Sequence, residues 1–135
     1  MNEENLTIRQ LARLSGLSEH ALRYFERIGL LDPVERNAAG HRRYNARDRA
    51  WLEFIQRLRA TGMSIAGMRA YAALRRQGDL TFPVRRALLA EHRERVAQRI
   101  EQWQGALRVL DDRIAWYDEQ TAPWRTAAND PDKPD

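Results

Sequence analysis

Apolar positions recur along this chain at helical spacing, in segments cut by glycines and capping residues. Ile8, Leu11, Ala12 and Leu14 form a first stripe. Thr7 precedes it and Gln10 follows three residues later, the pattern of a capping box. Gly16 predicts the end of that helix, because glycine accepts the left-handed cap. Ser18 is a second N-cap, followed by Leu22, Phe25 and Ile28, and Gly29 closes the segment. Two short helices separated by Ser15-Gly16-Leu17 predict a helix-turn-helix, with residues 18–28 as the recognition helix.

The pattern then changes. Pro33, Asn37 and Gly40 are turn signals between two short stretches, Val34-Glu35-Arg36 and His41-Arg42-Arg43-Tyr44. They predict a small β-hairpin with its tip at 37–40, which makes the head a winged helix. Asn45 caps the next helix, whose face is Trp51, Leu52, Phe54, Ile55 and Leu58. Thr61-Gly62 ends it. Ser64 caps a fourth helix carrying Ile65, Met68, Tyr71, Ala72 and Leu74, which stops near Gly78. Thr81 is read as the cap of the last element.

From Pro83 to Tyr117 the chain holds one glycine and no further proline. Leu89, Val96, Ile100, Trp103, Leu107, Leu110, Ile114 and Tyr117 line one side. From Val96 they alternate in steps of four and three, an a/d heptad seam. About 35 residues at 1.5 Å each make a rod of roughly 50 Å. Such a seam needs a partner helix, and a second copy of the chain is the simplest one. The expected division is 1–78 for a DNA-binding head, 79–119 for a dimerisation helix and 120–135 for a disordered tail. The fold class is mainly α.

Composition narrows the function. The chain has 135 residues, no Cys and a net charge of +4. Without Cys there are no disulfides, thiolate metal sites or thiol redox centres. No apolar run spans a membrane, and the polar, acidic start does not read as a signal peptide. The expected compartment is the cytoplasm. The charge is uneven: residues 1–78 hold 14 Arg against 8 acids, a net of +6, whereas 79–135 carry a net of −2. A basic head suits nucleic acid. His20, His41 and His92 are scattered, so no metal is expected. No phosphate loop, Ser/His/Asp order or paired-carboxylate motif is present, so neither a cofactor nor an enzyme is expected.

The candidate DNA contacts fall in three places. Ser18, His20, Ala21, Arg23, Tyr24 and Arg27 lie on the recognition helix, where cations and hydrogen-bonding groups reach base edges and phosphates. His41, Arg42, Arg43 and Tyr44 lie on the second hairpin strand. Alternate strand residues face opposite sides, so one Arg grips phosphate while the other packs back or pairs with an acid. Arg59 and Ser64, flanked by Arg57 and Arg69, border the second tight turn, and a helix N-terminus there suits a phosphate. Trp103, Trp116, Tyr117 and Trp124 read first as seam and end packing, and second as a candidate effector pocket between the rod's end and a partner's head.

Thr7-Ile8-Arg9-Gln10-Leu11-Ala12, Gly16-Leu17-Ser18, Leu22-Arg23-Tyr24-Phe25-Glu26, Gly29-Leu30-Leu31, Gly40-His41-Arg42-Arg43-Tyr44 and Gly62-Met63-Ser64-Ile65 together resemble the MerR family of bacterial transcription regulators. The resemblance covers about residues 6–118. It departs at Phe25, where the family more often has Tyr, and at His41, where Tyr is also commoner. The resemblance implies a homodimer joined by an antiparallel coiled coil, binding a palindromic site in a promoter with an overlong spacer. It implies that bending and untwisting the spacer lets RNA polymerase engage both promoter elements. It also implies a short member without a cysteine sensor or a large effector domain, answering to an unidentified small-molecule effector or to none. Two other readings compete: a protein-interaction module built on the rod, and a non-specific architectural DNA binder.

Overall fold

The computed structural model describes residues 5–33 and 36–128, with side chains as far as Trp124. Five α-helices follow in order: α1 Ile8–Ser15, α2 Glu19–Arg27, α3 Ala46–Ala60, α4 Ile65–Arg76 and α5 Phe82–Ala128, with a 3-10 turn at Asp79–Thr81 before α5. The chain forms two compact units, residues 1–93 and 94–135.

Local chemistry sets most helix boundaries in the first unit. Thr7 Oγ1 accepts from Gln10 N–H at 3.1 Å and Gln10 Oε1 accepts from Thr7 N–H at 2.9 Å. This reciprocal pair satisfies two of the donors that a helix start leaves open. Asn45 and Asp48 repeat the arrangement at α3, both bonds at 2.9 Å. Ser18 and Ser64 cap α2 and α4 through the N–H groups of Ala21 and Gly67. Gly16 ends α1 with φ +76°, a conformation that costs a residue with a Cβ.

The helices meet on one apolar core. Leu11, Leu22, Phe25, Leu30, Leu31, Tyr44, Leu52, Ile55, Leu58, Met63 and Met68 are all buried in it. Each such large side chain contributes roughly 1.5–3 kcal/mol by leaving water. Polar ties add direction. Gln56 Nε2 donates to the Ser15 carbonyl at 2.9 Å, joining α3 to the turn between α1 and α2. Trp51 Nε1 donates to the Leu30 carbonyl at 2.7 Å, and Arg75 lies 4.2 Å over the Trp51 ring. Asp32 receives Arg75 Nη1 at 3.1 Å and Arg76 Nε at 2.7 Å, while Arg76 Nη2 also reaches the Gly29 carbonyl. The exit of α2 is thereby clamped to the end of α4.

Four features differ from the sequence reading. No strand forms among the described residues: the expected hairpin is reduced to an Arg36–Arg42 bridge closing on Asn37–Gly40, and Val34 and Glu35 lie outside the described residues. The turn itself stands at the expected tip, where Asn37 Oδ1 accepts from the N–H groups of Ala39 and His41 at 3.0 Å each. A second bridge pairs Leu6 with Tyr44, a non-local contact that no local pattern announces.

Thr81 does not cap α5 from in front. Its hydroxyl turns back to within 2.7 Å of the Leu74 and Gly78 carbonyls and accepts from Arg85 Nε. The head unit extends to Arg93 rather than to residue 78, because Leu88 and Leu89 pack against its core. In the single chain Leu89 is half-buried against the head core. Finally, α5 runs to Ala128 instead of ending by 119. Pro123 sits within an exposed turn, where water is free to bond the carbonyl its missing N–H leaves open.

In the second unit, α5 stands as a single helix from residue 94 onward. Ile100, Leu107, Leu110 and Ile114 are each more than half exposed.

Candidate nucleic-acid interface

The second helix sorts its side chains by face. Leu22 and Phe25 are buried, while His20, Arg23, Tyr24 and Arg27 stand exposed. Ser18 is occupied as the N-cap and Ala21 is half-buried. Glu19 and Arg23 approach at 3.7 Å one turn apart, an exposed contact of small energetic weight. Arg27 lies 5.9 Å over the Tyr24 ring.

The turn at 37–40 folds beside this helix. Arg23, His41, Arg42 and Arg43 line one open cleft together with Thr7, Arg9, Glu19 and Arg36. Its volume is about 690 Å³, and it gathers five Arg against one acid. A concave surface of that sign attracts a polyanion and concentrates it. A second cleft is lined by His20, Arg23, Glu26, Arg27, Pro33 and Arg42. Arg42 forms part of the wall of both clefts. Glu26 holds it there, Arg42 Nε donating to Glu26 Oε2 at 2.8 Å with both side chains partly buried. Arg42 is thus the one of the two adjacent Arg that pairs with an acid.

Tyr44 departs from its expected role. Its ring is only 1% exposed, and its hydroxyl has no hydrogen-bond partner. Burial pushes the phenol up from its usual value, and the nearby Glu26 carboxylate adds to the shift. Tyr44 supports the turn from below and is not placed to touch a phosphate.

Arg59 and Ser64 lie on a separate feature, the α3–α4 turn. Both are exposed. The Arg59 guanidinium rests 5.7 Å from the Phe25 ring centre, so this turn leans on α2. Gly62 carries φ +93° at the bend.

Sequence reasoning missed Arg9 and Arg36 as cleft residues and Glu26 as the holder of Arg42. Arg9 was legible as a position in the first turn of α1, but only the tertiary arrangement brings that turn beside 41–43. Trp103, Trp116, Tyr117 and Trp124, the candidate effector-pocket residues of α5, are all exposed. Trp103 and Trp124 are 21 positions apart on one helix, about 30 Å, so they do not enclose one pocket within a single chain. Among the described residues, no three His, Asp or Glu gather as a metal site, and no helix is long and apolar enough to cross a membrane.

A small helical head with an exposed, cation-bearing second helix beside an Arg-lined turn defines a helix-turn-helix DNA-binding protein. Comparison with known proteins gives the family. Residues 6–74 match the MerR HTH family regulatory protein, and residues 49–113 match the MerR DNA-binding region. The HTH-type transcriptional regulator AdhR of Bacillus subtilis is 40% identical over 93 residues, which span 69% of this chain and 66% of AdhR. A MerR family regulator from Listeria monocytogenes superposes with a TM-score of 0.82 at 38% identity, covering 89% of this chain and 91% of that one. HiNmlR, a MerR family regulator lacking the sensor domain and solved bound to promoter DNA, gives 0.78 at 30% identity, over 87% and 94% of the two chains. This chain belongs to the MerR family: it is a DNA-binding transcription regulator and not an enzyme.

Proposed function

We propose that the chain works as a homodimer on a palindromic promoter site. The seam from Val96 to Tyr117 joins two copies through antiparallel α5 helices. The α2 residues His20, Arg23, Tyr24 and Arg27 enter the major groove, with Ser18 and Ala21 at the helix start. The turn carrying His41, Arg42 and Arg43 grips the adjacent backbone as a wing, and Arg59 and Ser64 hold it from the other side. Two heads on one rigid pair bend and untwist an overlong spacer. The deformation energy is offset by the added backbone contacts, and RNA polymerase then engages both promoter elements. The compartment is the cytoplasm. An effector, if it acts, does so without a thiolate, because the chain has no Cys.

The single observation that carries this reading is the five-Arg cleft beside the exposed face of α2. The test is a gel-shift titration on duplexes that the protein selects from a random pool. Arg23→Ala is expected to weaken the selected site by roughly 1–3 kcal/mol while leaving weak binding to scrambled DNA almost unchanged. Equal affinity for selected and scrambled duplexes would instead mark a non-specific architectural binder.

A further inference from the structure

His92 is the one buried histidine among those described, at 7% exposure, and no part of the DNA-contacting surface uses it. It lies on the third turn of α5, within the head unit. Its Nε2 stands 2.8 Å from Thr61 Oγ1. The Thr61 hydroxyl has one proton, and two carbonyls lie within its reach, Arg57 at 2.9 Å and Leu58 at 3.1 Å. With that proton directed to a carbonyl, the oxygen is free to accept, so His92 donates from Nε2–H. The bond ties α5 to the residue that ends α3.

The tie falls at a telling position. Thr61 sits between Arg59 and Ser64, on the turn whose bend is Gly62. That turn also leans on the recognition helix through Arg59 and Phe25. At its other end, the start of α5 is fixed to the end of α4, through Thr81 to Leu74 and Gly78 and through Arg85 to Gly78. Leu88 and Leu89 pack on the core between the two fixed points. The opening turns of α5 are thus fixed to the end of α4 at one point and to the α3–α4 turn at His92.

We propose that His92 is a positioning residue: its hydrogen bond to Thr61 sets the α3–α4 turn against the DNA backbone and makes that turn follow any movement of the long helix. The proposal rests on the reading that Arg59 and Ser64 contact the backbone.

The experiment measures affinity of the full-length protein for its selected duplex across a salt series. Arg59→Ala, His92→Leu, the double variant and His92→Gln are compared. A phosphate contact shows as a slope of log affinity against log salt that is shallower by about one when the contact is lost. Arg59→Ala is expected to lower affinity and flatten the slope. His92→Leu is expected to lower affinity roughly three- to tenfold, the scale of one lost hydrogen bond, and to flatten the slope likewise. The double variant is expected to match the weaker single variant. His92→Gln, which keeps an N–H at similar reach, is expected to stay within about twofold of the parent. Thr61→Val removes the acceptor from the other side and is expected to reproduce His92→Leu should that variant fail to fold. An unchanged slope in both His92→Leu and Thr61→Val, or additive losses in the double variant, overturns the proposal alone. An Arg59→Ala protein with parental affinity and slope overturns the contact reading beneath it as well.

Discussion

Tyr44 shows how one side chain trades a surface role for a structural one. Its ring fills the core beneath the turn, yet its hydroxyl is buried without a partner. A buried unpaired hydroxyl costs about 1–3 kcal/mol. Tyr44→Phe is therefore expected to be neutral or stabilising by about 1 kcal/mol in urea unfolding. The base limb gives a second readout. The folded phenol is raised above its unfolded value near 10, so its contribution is fully present below pH 10. It is lost as the pH rises through the folded value, because only the unfolded chain ionises first. The Phe variant is expected to lose less stability above pH 10 than the parent. Glu26 makes the opposite case, a group whose partner matters. Glu26→Gln weakens the tie on Arg42, and because both clefts share that Arg, specific DNA binding is expected to fall about three- to tenfold in gel shift. The fold should change by less than about 1 kcal/mol in melting, since the pair is partly solvated.

Among the elements, helix starts were the most legible, because capping is settled within four residues. The Thr7/Gln10 box and the Asn45 cap stand as the local pattern reads, and Asp48 completes a second box at α3. Asn45→Ala is expected to destabilise the head by about 0.5–2 kcal/mol, seen as a lower urea midpoint at constant slope. What depends on distant partners was not legible. Leu89 has seam-like spacing but packs on the head, and Thr81 has cap chemistry but bonds backward to carbonyls of α4 and its exit. The stretch 36–44 has strand-like composition, and among the described residues it forms isolated bridges on either side of the turn that Asn37 closes. The recognition helix was readable from its own sequence. The cleft was not, since it joins α1, α2 and the turn.

For the whole molecule, the exposed seam decides the state of assembly. Leu107 lies near its middle and is 57% exposed in the single chain. Leu107→Asp places a charge where two copies would exclude water, which opposes pairing by several kcal/mol. Sedimentation equilibrium is expected to show a monomer for this variant and a dimer for the parent, with the head's melting transition retained. A single head then binds a half-site only weakly, because the two heads no longer share one encounter. This exposed apolar row also bears on how the regulator's targets are read out in a population of cells. If only paired chains occupy a promoter, occupancy at low expression climbs with the square of the chain's concentration. A twofold fluctuation in synthesis then gives about a fourfold change in bound sites by mass action. On the proposed pairing, the helix that would join the copies also sets how sharply the regulator answers to its own supply.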